Sequence, residues 1–134
     1  MNIKFMRSGG PAAFPGLIVD AAVDVNATQG KVTSKDGYAR ELAPGEAQGL
    51  SANVNPDCFF QMKNKDLAAK RAAGPNGLYQ YDITLRLDGG REHSITVSDM
   101  MQSDLERQCP GLGKFLDWAK QESQSVMAYK MRQR

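Results

Sequence analysis

The sequence predicts an α+β fold: a mainly antiparallel sheet of four strands, built as two hairpins and covered on one face by two helices. Three observations carry this expectation. Residues 78–97 alternate with period 2: Tyr79, Tyr81, Ile83, Leu85 and Leu87 fall on one side and Gln80, Asp82, Thr84 and Arg86 on the other. A second alternating pair brackets a Gly/Pro-rich stretch near the amino terminus. Two segments, 44–54 and 112–122, carry thin apolar stripes at helical spacing. A sheet with one apolar face needs such a cover.

The elements follow in order. Residues 2–7 form the first strand, with Ile3 and Phe5 on one face. Ser8 to Gly16 contains five Gly or Pro in nine residues and reads as a loop. Residues 17–25 form the second strand, with Leu17, Val19, Ala21, Val23 and Val25 opposite Asp20 and Asp24. Residues 26–42 are mixed in charge and rich in turn formers, which predicts a surface loop. Pro44 suits a first helical turn, and Ala47, Leu50 and Val54 give that helix its stripe before Pro56. Gly45 and Gly49 each cost it about 1 kcal/mol relative to alanine, and Ala43 stands where a capping side chain is preferred. Cys58-Phe59-Phe60 pins the segment to the core, and residues 63–77 read as a basic loop or an extra helical turn.

The second hairpin can be placed to the residue. Directly opposed residues in an antiparallel pair share a face, so apolar must meet apolar. A two-residue Gly-Gly turn sets Ile83 against Thr96 and mixes the faces. A three-residue loop, Asp88-Gly89-Gly90, sets Ile83 against Ile95, Tyr81 against Val97 and Leu85 against His93, with strands at 78–87 and 91–98. Beyond it, Ser103 and Glu106 have capping-box spacing for a short helical turn, which Pro110-Gly111 interrupts. Leu112, Phe115, Leu116 and Ala119 then form the last helix, with Trp118 beside the stripe. Trp118, Phe115, Phe59 and Ile83 are expected to be buried together. Residues 120–134 turn polar and read as an exposed helix end or a disordered tail.

Composition narrows the function. A chain of 134 residues is one domain with room for a real core. Its 17 basic and 15 acidic residues leave a net charge of +2, which argues against a nucleic-acid surface. No run approaches the ~20 apolar residues of a membrane span. Glycines and prolines break the amino-terminal stretch before a signal core forms. The expectation is a cytoplasmic protein, monomeric when free. Cys58 and Cys109 have no metal-ligand spacing; buried free thiols are the expectation and a bridge the alternative. The only histidine, His93, falls on the apolar side of its strand, a structural position. A thiol–histidine couple with either cysteine rests only on both residue types being present. No nucleophile, base, metal or cofactor constellation emerges, so the chain is not expected to be an enzyme.

One resemblance bears on function. Lys4-Phe5-Met6-Arg7-Ser8-Gly9-Gly10 opens the chain, and the segment from Pro44-Gly45-Glu46-Ala47 runs to Phe59-Phe60. Tyr81-Asp82-Ile83-Thr84-Leu85 then faces His93-Ser94-Ile95-Thr96-Val97-Ser98-Asp99, and Leu105 and Phe115-Leu116-Asp117-Trp118 close the set. In this order, over residues 3 to about 119, the chain resembles the emfourin family, small proteinaceous inhibitors of protealysin-like and other thermolysin-type zinc metalloproteases. The resemblance implies an α+β protein that blocks the protease cleft without chemistry of its own, with the protease as its partner and no nucleic acid or membrane. Such enzymes favour a large apolar side chain just after the scissile bond. Ser8, Gly9, Gly10, Phe14, Pro15, Gly16 and Leu17 are therefore the candidate protease-binding residues. Where the family usually runs from Gly-Gly straight into Phe-x-Gly, this chain inserts Pro11-Ala12-Ala13. The rival reading is an interaction module of the same fold that does not inhibit.

Overall fold

A computed structural model of the chain describes residues 1–9, 21–35, 37–62, 79–98 and 102–132. Among these residues ten elements follow one another: β1 (Asn2–Gly9), β2 (Ala21–Asn26), β3 (Lys31–Ser34), β4 (Ala39–Glu41), α1 (Glu46–Val54), α2 (Pro56–Phe59), β5 (Tyr79–Arg86), β6 (Glu92–Ser98), α3 (Gln102–Gln108) and α4 (Leu112–Arg132). All strands pair antiparallel in one open sheet of order β4-β3-β2-β1-β5-β6.

The class is as expected, but the sheet has six strands instead of four. Residues 26–42 are not a loop. Asn26 Oδ1 accepts the Gln29 amide at 2.9 Å, Gly30 takes a left-handed φ of 69°, and the chain returns as β3 and β4. Val32 faces Val25 and is fully buried, which anchors β3 to the core. Strands of four and three residues offer too few alternations to be read from the sequence.

The second hairpin stands in the expected register, and the first pairs apolar against apolar. Ile3 faces Val25 and Phe5 faces Val23; Ile83 faces Ile95, Tyr81 faces Val97 and Leu85 faces His93. The Leu87 amide donates to the Arg91 carbonyl at 2.8 Å around the three-residue loop, where Gly90 supplies φ 86°. β1 also pairs with β5, Phe5 against Ile83, so the apolar rows of β1, β2, β5 and β6 lie on one face. Leu50 and Val54 of α1, Leu105 of α3, and Leu112, Phe115, Leu116, Ala119 and Val126 of α4 cover that face. Phe115, Phe59 and Ile83 are fully buried, whereas Trp118 is only partly buried at the rim of the core.

Three further expectations change. α1 begins at Glu46 rather than Pro44, because Gly45 takes φ 82° and turns the chain in; the Glu46 carboxylate accepts the Ala43 amide at 2.8 Å. Glu106 does not close a capping box. Its carboxylate accepts the Gly111 amide at 2.6 Å and so ties α3 to the start of α4. α4 does not end near residue 122 but runs to Arg132, with Glu122, Ser123 and Val126 buried. Ala119, Ser123 and Val126 continue the inward stripe through residues too polar to be read as one.

Cys58 and Cys109 are bridged, not free, with their Cα atoms 5.7 Å apart across a sequence separation of 51. Two corners meet here. Asn55 Nδ2 donates to the Pro110 carbonyl at 3.2 Å, and a Cβ at Gly111 (φ 104°) would lie 2.7 Å from the Asn53 carbonyl oxygen. Only glycine fits that approach, and it brings the sulfurs together. A loop of this length corresponds to about 4 kcal/mol of lost denatured-state entropy on the chain-entropy account.

Candidate functional site

The candidate loop connects β2 and β1, the two central strands of the sheet. Arg7 of β1 pairs with Ala21 of β2, and Ser8 and Gly9 continue β1 against Gln80 and Tyr79 of β5. The end of β1 and the start of β2 therefore lie side by side at the end of the sheet where β5 begins and β6 finishes. Gly10, Phe14, Pro15, Gly16 and Leu17 lie outside the described residues. So do residues 63–77, and the first part of the expected second strand, Leu17 and Val19. Of the candidate set, the structure places the backbone of Ser8 and Gly9 only.

The face of the sheet opposite the helices is uncovered by any described element. Met6, 43 % exposed, stands there beside Lys4, Ala22, Asp24, Thr33, Lys35, Asp82 and Thr84, which line a shallow cavity of about 440 Å³. Its charges are mixed: Lys4 Nζ lies 3.9 Å from Asp24, and Asp82 accepts the Thr96 hydroxyl at 2.7 Å. This face was not singled out from the sequence. An exposed methionine in a central strand was visible as an apolar residue out of phase with Phe5 and Arg7.

A polar network holds the outer strands to the helices. Arg40 of β4 donates from Nη1 and Nη2 to the Glu46 carboxylate at 3.0 and 2.7 Å, and from Nε to Glu122 at 2.9 Å; its Nη2 also contacts Glu122. Tyr38 donates to Glu122 at 3.2 Å, and Trp118 Nε1 donates to Glu46 at 2.7 Å. Hydrogen bonds from Arg40, then from Trp118 and the Ala43 amide, outweigh the burial that opposes them and hold the Glu46 carboxyl at a pKa of about 2. The same carboxylates raise the Arg40 guanidinium. Burial, and then the neighbouring Glu122, push the Tyr38 phenol up. The network fixes the β3–β4 hairpin, whose turn lies at the end of the sheet where β1 finishes and β2 begins. Sequence reasoning missed it because Arg40 and Glu122 are 82 residues apart and neither position carries a local signal.

His93 is held by contacts within the fold. Its Nε2 lies 2.7 Å from the Met62 carbonyl oxygen, and its ring meets Phe59 edge-on at 5.7 Å. With both sulfurs in the bridge, no thiol is left to form a couple with it. Among the described residues no cluster of His, Cys, Asp or Glu is arranged to hold a metal ion, and no helix is long and apolar enough to cross a membrane. Comparison with protein-family models, with curated proteins and with solved structures finds no match.

Proposed function

We propose that this chain is a proteinaceous inhibitor of thermolysin-type zinc metalloproteases, in the manner of the emfourins it resembles. In this reading it acts by filling the protease cleft with the loop from Ser8 to Leu17. The observation that carries the reading is the position of the loop's base. Arg7 and Ala21 are paired at the centre of a six-stranded sheet, with β5 bonded along the other side of β1. Fixed ends leave a cleft-filling segment less freedom to lose on binding, and affinity from a short segment depends on that saving. Pro11 and Pro15 stiffen it further and make neighbouring peptide bonds poor substrates. Phe14 and Leu17 supply the large apolar side chains that such a cleft accepts.

The reading requires no chemistry from the chain itself, only a partner, and takes the free protein as monomeric. It departs from the sequence expectation in one respect. A bridge between the only two cysteines favours an oxidising compartment over the cytoplasm. Titrating a thermolysin-type protease with the purified chain tests the proposal. Activity should fall in proportion to added protein and reach zero near one equivalent. Full activity at a hundredfold excess would leave the alternative, an interaction module that shares the fold without inhibiting.

A further inference from the structure

The bridge joins two corners of the fold. On one side stand the end of α1, the left-handed Asn55 (φ 51°) and α2; on the other stand Cys109, Pro110 and Gly111. Besides the sulfurs, the Asn55–Pro110 hydrogen bond and the Gly111–Asn53 approach hold the corners together. α2 is a single turn of four residues, closed by the Phe59 amide on the Asn55 carbonyl (2.9 Å) and the Phe60 amide on the Pro56 carbonyl (3.0 Å). A turn that short does not persist without tertiary ties. Its other ties are Phe59 in the core, the His93–Met62 contact and Arg91 over the Phe60 ring at 4.4 Å.

From this arrangement we infer that Cys58–Cys109 is a reducible latch. Closed, it orders residues 55–62 against β6; open, it lets that segment leave the sheet while the central strands stay folded. The inference is independent of the inhibitory reading. Two features make the latch workable. Cys58 is only partly buried whereas Cys109 is wholly buried, so a reductant has one sulfur to attack. The chain holds no third cysteine, so the closed bridge has no competing partner. The reductant is a dithiol. Its thiolate attacks Cys58 Sγ, the Cys58–Cys109 bond breaks, and Cys109 departs as a thiolate that takes up a proton. The second thiolate of the reductant then attacks its own sulfur in the mixed disulfide. Cys58 leaves and is protonated, and the reductant ends as a cyclic disulfide, having given up two electrons. The strands of the β2-β1-β5 centre share no residue with the bridge and keep their pairing.

Amide hydrogen exchange on the whole chain, before and after dithiothreitol, tests the latch, with mass analysis after alkylation to confirm two free thiols. The Phe59 and Phe60 amides should exchange at least tenfold faster in the reduced protein. Ile3, Phe5 and Ile83 should remain protected, and oxidised glutathione should restore the original pattern. A Cys58→Ser/Cys109→Ser double variant, measured without reductant, should match the reduced protein. Exchange at Phe59 and Phe60 unchanged within twofold would show an inert bridge and overturn the inference. Equal loss of protection in β1 and β5 would show a global staple and overturn it as well, as would failure to recover on reoxidation. If the double variant does not fold, the reduced parent chain decides alone.

Discussion

Arg40 and Glu122 lie 82 residues apart, yet the Arg40 Nε donates to the Glu122 carboxylate at 2.9 Å. A short edge strand is thereby tied to the middle of the longest helix. The same guanidinium grips Glu46 of α1, so one side chain joins three elements. Two carboxylates with 20 % and 8 % side-chain exposure tolerate this seclusion only while their cation is present.

Removing the cation should therefore cost more than the contact itself. Arg40→Met leaves Glu46 and Glu122 without their partner. A fully buried pair broken this way costs 3–5 kcal/mol; with Arg40 still 29 % exposed, about 2–3 kcal/mol is expected here. Urea unfolding of the variant measures it, and a change under 0.5 kcal/mol would show that the network is solvated and energetically idle.

The low pKa of Glu46 makes stability depend on pH with a definite sign. Its ordinary value is 4.5 and its folded value about 2, so the unfolded chain binds the proton more readily. The contribution of Glu46 is fully present above about pH 5 and is lost as pH falls from there toward 2. Discounted for the partial exposure of the site, this is about 2–3 kcal/mol. Denaturant melts from pH 6 to pH 2 should show the parent losing that amount more than Glu46→Gln. Parallel curves would mean that Glu46 is not held low.

Trp118 stands between the core and this network. Its ring lies 6.0 Å from those of Phe5 and Phe115, and its Nε1 bonds Glu46. Trp118→Ala should cost about 3 kcal/mol, the low end for a large aromatic because the ring is only partly buried. Trp118→Phe keeps most of the packing and loses the hydrogen bond, for about 1 kcal/mol. Equal losses in the two variants, measured by thermal or urea melts, would assign the whole effect to the hydrogen bond.

The loop prediction concerns binding, not stability. A Phe14→Ala/Leu17→Ala pair should fold with an unchanged melt and inhibit a susceptible thermolysin-type protease at least tenfold more weakly. Unchanged inhibition by a normally folded pair would remove the loop from the mechanism. The β3–β4 turn, with Lys35 and Gly37 at the same end of the sheet, would then be the next segment to vary.

Legibility followed sequence distance. The register of β5 and β6 was readable because a short hairpin obeys parity: once Ile83 must meet Ile95, the loop between them has three residues. The candidate site was readable only as a stretch, since the Gly/Pro density from Ser8 to Gly16 marks a loop but not what its ends are bonded to. That β1 pairs with β5 as well as β2, and so lies inside the sheet, joins residues about eighty positions apart.

What the sequence determined by itself was therefore local: two hairpins with their apolar faces and two helical stripes. Each is a periodicity or a spacing within some twenty residues, where backbone geometry alone links pattern to shape. The tertiary structure decided the rest. Val32 became a strand residue because Val25 lay opposite, and Glu122 stayed inside because Arg40 reached it. The last helix ran to Arg132 because Val126 found the core and Tyr129 found Tyr38 to pack on. Cys58 met Cys109 because Gly111 let two corners close to within van der Waals contact. In each case a weak local preference was settled by burial against a partner that only the fold brings near.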